Sequence, residues 1–100
     1  MTFQSVARVD DIPDGSGKTV DIDGKLIAVF NLGGEFYAIE NVCPHRGGSL
    51  GDGTIYEGAV ICPDHSYQFD IKTGNPFGFP NGVKTFKTKV ENGTVFVDIV

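Results

Sequence analysis

A chain of 100 residues has room for one domain and none for two domains with a cleft between them. A hydrophobic content of 40% with 21% charged side chains is too apolar for a disordered segment. Thirteen acids against eight bases leave a net charge of −5, which argues against nucleic acid and anionic membrane surfaces as partners because their phosphates would repel the chain.

The N-terminal stretch Met1 to Asp11 lacks the basic start and apolar run of a secretory signal. The longest apolar run, Leu26 to Phe30, is far short of the roughly 20 residues that span a bilayer. The expected location is the cytoplasm, and the expected state is a monomer when free. Fourteen glycines spread along the chain leave few windows in which a helix forms cheaply, so the predicted class is all-β. Thr19 to Asp23 and Lys25 to Phe30 flank Asp23-Gly24, a dipeptide suited to the positive φ angles of a tight hairpin. Asn31 to Gly34 then turns the chain into a third strand, Glu35 to Glu40, completing a meander. Shorter strands are expected at Ala59 to Ile61, Gln68 to Ile71 and Val83 to Phe86. A second hairpin, Lys87 to Glu91 with Thr94 to Ile99, turns at Asn92-Gly93 and buries Val95, Val97 and Ile99. Two glycine- and proline-rich stretches, Cys43 to Gly53 and Thr73 to Gly82, read as long functional loops.

All the cysteine and histidine of the chain falls in two short clusters, Cys43-Pro44-His45 and Cys62-Pro63-Asp64-His65, with 16 residues between them. Two sulfur and two nitrogen donors suit a metal centre. One zinc ion accepts this set, but zinc knuckles usually place at least two residues between paired ligands, and here only Pro44 separates Cys43 from His45. Proline's fixed φ makes that turn harder still. Two adjacent metals, one taking the cysteines and the other the histidines, turn the short spacing into an asset. A Cys43–Cys62 disulfide and a zinc-stapled binding module stand as the alternatives.

Cys43-Pro44-His45-Arg46-Gly47-Gly48, Cys62-Pro63-Asp64-His65 and Phe69-Asp70-Ile71-Lys72-Thr73-Gly74 together resemble the bacterial Rieske-type [2Fe–2S] ferredoxins, the ferredoxin components of ring-hydroxylating dioxygenase systems. The resemblance spans nearly the whole chain. It implies a single Rieske domain over residues 1–100, an antiparallel β base carrying a small cluster-binding subdomain at about residues 42–82. It also implies one Rieske-type [2Fe–2S] cluster, with Cys43 and Cys62 on the inner iron and His45 and His65 on the outer. Pro44, Arg46, Gly47, Gly48, Asp64, Ser66 and Tyr67 would surround it, and Pro80 would cover it from a third loop. Close backbone approach and N–H donation to the sulfurs are the functional reading of Gly47, Gly48, Gly51 and Gly53, with loop flexibility as the rival for the last two.

With two thiolates rather than four, the oxidised centre carries no net charge and accepts an electron more readily than an all-cysteine cluster. Rieske potentials accordingly run from roughly −150 to +300 mV, against about −400 mV for plant-type clusters. The high-potential branch of the family has an extra disulfide and two hydroxyl donors; this chain has Gly48 and Asp64 at the disulfide positions and Tyr67 and Phe69 at the hydroxyl positions. Fewer donors to sulfur place its expected potential near the lower end.

The function so implied is a one-electron carrier between a flavin-dependent ferredoxin reductase and a terminal oxygenase, with no substrate of its own. The alternative is a small Rieske subunit held permanently in an assimilatory nitrite reductase or similar complex. By segment, residues 43–80 carry net −2 and residues 81–100 net +1, so an acidic face is expected on the cluster-bearing half.

Overall fold

The computed structural model describes residues 3–43, 48–63, 67–78 and 82–99. Among these residues ten strands run in chain order: β1 (Phe3–Arg8), β2 (Ser16–Ile22), β3 (Lys25–Leu32), β4 (Glu35–Glu40), β5 (Thr54–Tyr56), β6 (Ala59–Ile61), β7 (Gln68–Asp70), β8 (Thr85–Phe86), β9 (Thr88–Glu91) and β10 (Thr94–Asp98). Single 3-10 turns lie at Val9–Asp11 and Leu50–Asp52, and the described residues contain no α-helix. Accordingly, none of their helices is long and apolar enough to cross a membrane.

The strands form three antiparallel sheets, ordered β1-β10-β9, β2-β3-β4-β8 and β5-β6-β7. Local chemistry sets the hairpins. Asp23-Gly24 and Asn92-Gly93 hold positive φ at both positions, as a two-residue turn between twisted strands requires. Asp21 adds an accepted bond from the Gly24 N–H at 2.8 Å. Glu57-Gly58 makes a further turn of this kind, with φ of 48° and 79°, and joins β5 to β6. Glutamate is a poor sequence signal for a left-handed position, so the residues alone do not announce this turn. Nor do they announce β1, whose pairing with β10 shifts register between Ser5 and Ala7 and so breaks the alternation of a regular strand.

β3 organises the interior because both of its faces are buried. Ile27 and Val29 point into one core with Ile12, Val20, Phe36, Phe86, Val95 and Val97, between the first two sheets. Ala28 and Phe30 point into the other, shared with Ile39, Cys43, Leu50, Val60, Cys62, Phe69 and Ile71. Period-two alternation in a strand covered on both sides turns one apolar run into the wall of two cores. β2 begins at Ser16, three residues before its expected start, where Gly17 pairs with Phe30 and leaves room for that ring. The expected strand from Val83 shortens to Thr85–Phe86, since the Val83 N–H bonds the Gly74 carbonyl and the Lys84 N–H bonds Glu40 Oε1 instead of a ladder partner.

Candidate metal centre

The second core ends at the two cysteines. Cys43 and Cys62 are 1% and 2% exposed, belong to the same buried cluster, and are thiols not joined by a disulfide. Each opens a loop closed in the same way: the Cys43 N–H donates to the Gly48 carbonyl and the Cys62 N–H to the Tyr67 carbonyl, both at 2.9 Å. Two loops of equal span therefore leave one core, each with a sulfur at its root.

Their roots differ. The second loop stands on a ladder of three register pairs between β6 and β7. The first stands on a single bridge, Val42 with Ser49, backed by the Leu50 N–H donating to the Asn41 carbonyl at 2.8 Å. After the first loop the chain crosses to the second at Gly53, whose backbone lies against the carbonyl of Ile61, the residue preceding Cys62. A third segment joins them: the Asp70 N–H donates to the Asn75 carbonyl and the Phe77 N–H to the Gln68 carbonyl, laying residues 75–77 along β7. The ends of that segment meet where Gly74 and Gly82 leave no space for a Cβ.

Of the residues singled out in the sequence, Cys43, Gly48, Cys62 and Tyr67 fall at the roots of the two loops. Gly48 is buried and Tyr67 packs against the second core. Pro44, His45, Arg46, Gly47, Asp64, His65, Ser66 and Pro80 lie outside the described residues. Phe77, in the third segment, is 54% exposed. At Gly51 and Gly53 the N–H groups are not available to the sulfurs. The Gly51 N–H donates to Asn41 Oδ1 at 2.8 Å and the Gly53 N–H to the Leu50 carbonyl at 3.0 Å, so both amides are spent within the chain. Both glycines do permit close approach, but to Thr19 and Asn41 and to Val60 and Ile61. Asn41, Ser49 and Thr19, which pack beneath the first loop, had no motif to announce them.

The donor set fits a Rieske-type centre. Two soft sulfur donors belong to one buried core, and each sits at the root of a loop whose sequence carries a histidine two or three residues farther on.

Comparison with known proteins agrees. The chain is 37% identical over 94 residues to the 3-phenylpropionate/cinnamic acid dioxygenase ferredoxin subunit of Shigella flexneri serotype 5b, covering 91% of this chain and 88% of that protein. The ferredoxin of carbazole 1,9a-dioxygenase from Nocardioides aromaticivorans IC177 superposes with a TM-score of 0.89 at 31% identity, over 97% of each chain. A chain of a solved complex of reduced oxygenase and oxidized ferredoxin in carbazole 1,9a-dioxygenase gives a TM-score of 0.87 at 32% identity, over 95% of this chain and 91% of that one. Residues 2–90 match the Rieske [2Fe-2S] domain. With paired cysteine loops on an antiparallel β base and a match over most of its length, the chain belongs to the Rieske [2Fe–2S] family and is an electron carrier with a cluster of that type.

Proposed function

We propose that Cys43, His45, Cys62 and His65 hold the cluster, and that the chain is one Rieske domain whose cluster-binding subdomain covers about residues 42–82. When bound, the cluster supplies reversible one-electron chemistry. The chain's own contribution is positional: the buried cysteine roots keep water from the sulfur side, while the loops beyond them carry the histidines. The observation that carries this reading is the shared burial of Cys43 and Cys62 at matching loop roots.

The carrier is a low-potential, cytoplasmic one that takes electrons from a flavin-dependent reductase and delivers them to a terminal aromatic-ring-hydroxylating oxygenase, with no catalysis of its own. The named relatives are ferredoxin components of dioxygenases, and the solved complex pairs one with its oxygenase. Thiols rather than a disulfide suit a reducing compartment.

The purified protein should contain iron and acid-labile sulfide in equal amounts and lose both in Cys43→Ser and Cys62→Ser. Its midpoint should fall below about +100 mV, within the span known for Rieske centres. After reduction by a flavin reductase it should be reoxidised by a ring-hydroxylating oxygenase. Zinc without sulfide overturns the cluster assignment. Co-elution with a large reductase subunit that persists in high salt overturns the shuttle in favour of a permanent subunit.

A further inference from the structure

Beneath the first cysteine loop lies a ring of side-chain hydrogen bonds. Asn41 Nδ2 donates to Ser49 Oγ at 3.1 Å, Ser49 Oγ lies 3.1 Å from Thr19 Oγ1, and Thr19 Oγ1 donates to Asn41 Oδ1 at 3.0 Å. With Ser49 as the donor of the middle bond, all three run the same way around the ring; Asn41 Oδ1, 3.3 Å from Ser49 Oγ, is the alternative acceptor for the same proton and keeps it inside the ring. The Gly51 N–H adds a fourth bond to Asn41 Oδ1 at 2.8 Å. Asn41 is 2% exposed, so its amide would be costly to bury if these bonds were not made. Closed and satisfied, such a ring stiffens what it joins.

What it joins is specific. Asn41 stands two residues before Cys43, and its own N–H donates to the Leu26 carbonyl at 3.2 Å. Ser49 follows the Gly48 carbonyl that closes the loop, and Thr19 belongs to β2, the edge strand of the central sheet. The ring thus pins both ends of the first loop to the base. Among the described residues no equivalent ladder does so, since one bridge pair stands there against three in the second loop.

We propose that the Thr19–Asn41–Ser49 ring is a positioning device for the Cys43 arm and that, by holding it, the ring sets the reduction potential of the centre. This rests on Cys43 being a ligand. A looser first loop admits water, and water stabilises the negative charge gained on reduction, so loosening the ring moves the midpoint upward.

The test uses the holoprotein with Thr19→Val, which removes only the hydroxyl from a strand position suited to valine, and Thr19→Ser, which keeps it. Ser49→Ala breaks the same ring from the loop side. Hydrogen exchange by mass spectrometry should accelerate about ten-fold over residues 48–53 in Thr19→Val, the consequence of one lost hydrogen bond, with residues 59–63 unchanged. The midpoint should rise in Thr19→Val and Ser49→Ala, and Thr19→Ser should restore both readings. An unmoved midpoint in a variant with a normal cluster overturns the positioning role and leaves the ligand assignment standing, as does exchange that quickens equally in both segments. Absence of iron and sulfide from the wild type overturns the ligand assignment itself.

Discussion

Gly53 has φ of −76°, which any residue can adopt, yet a Cβ there would collide with the Ile61 carbonyl and the Val60 side chain. Space, not conformation, demands the glycine, and the space is the crossing from one cysteine loop to the other. Gly53→Ala should therefore lower stability by about 1–3 kcal/mol through forced backbone movement, measured by thermal unfolding. Tyr37 shows a different residue-scale effect. Its hydroxyl donates to Glu35 Oε2 at 2.6 Å, and that bond, helped by desolvation and the nearby carboxylate charge, holds the phenol pKa above its ordinary value. A raised pKa means the folded state keeps the proton more tightly. The contribution is full below the phenol's unfolded pKa and is lost as pH climbs through the folded one. Glu35→Gln should bring the phenolate absorbance of Tyr37 in at lower pH.

Turns are the elements in which sequence and structure correspond most directly. Asp23-Gly24 and Asn92-Gly93 were legible because aspartate and asparagine tolerate the left-handed region that two-residue hairpins impose. Glu57-Gly58 adopts the same form with the less suitable residue first. Glu57→Asn should stabilise the protein by about 0.5–1 kcal/mol, raising the melting temperature by roughly 2–8 °C for a domain of this size. Strand ends were less legible. Val83 and Lys84 have strand-like chemistry, but their amides are taken by the Gly74 carbonyl and the Glu40 carboxylate, contacts that link positions far apart in the chain.

At the scale of the whole molecule, β3 separates two cores with different duties. One joins the first two sheets; the other supports the cysteines. Removing the cluster should therefore strip exchange protection from residues 48–53 and 59–63 while β1, β3 and β10 stay protected, a contrast readable in one hydrogen-exchange experiment on apo and holo protein. Charge is distributed at this scale too. The Gly33 N–H donates to Asp14 Oδ1, which brings Asp14 to the β3–β4 turn beside Glu35, at the end of β4 remote from Cys43. Lys25 and Lys84 flank the Phe86 ring, both at 5.4 Å. The net charge of a segment therefore does not locate an acidic face.

The sequence by itself determined the donor types of a Rieske-type centre and the Asp23-Gly24 and Asn92-Gly93 hairpins. A metal centre needs particular donor atoms at particular spacings, and a two-residue turn needs residues that tolerate positive φ; both are local properties. Only the tertiary structure decided that Gly51 and Gly53 serve packing, that the two cysteine loops rest on unlike foundations, and that Asn41 ties one of them to β2. Those facts arise where Thr19 meets Asn41 and Gly53 meets Ile61, positions whose proximity comes from burying two faces of one central sheet.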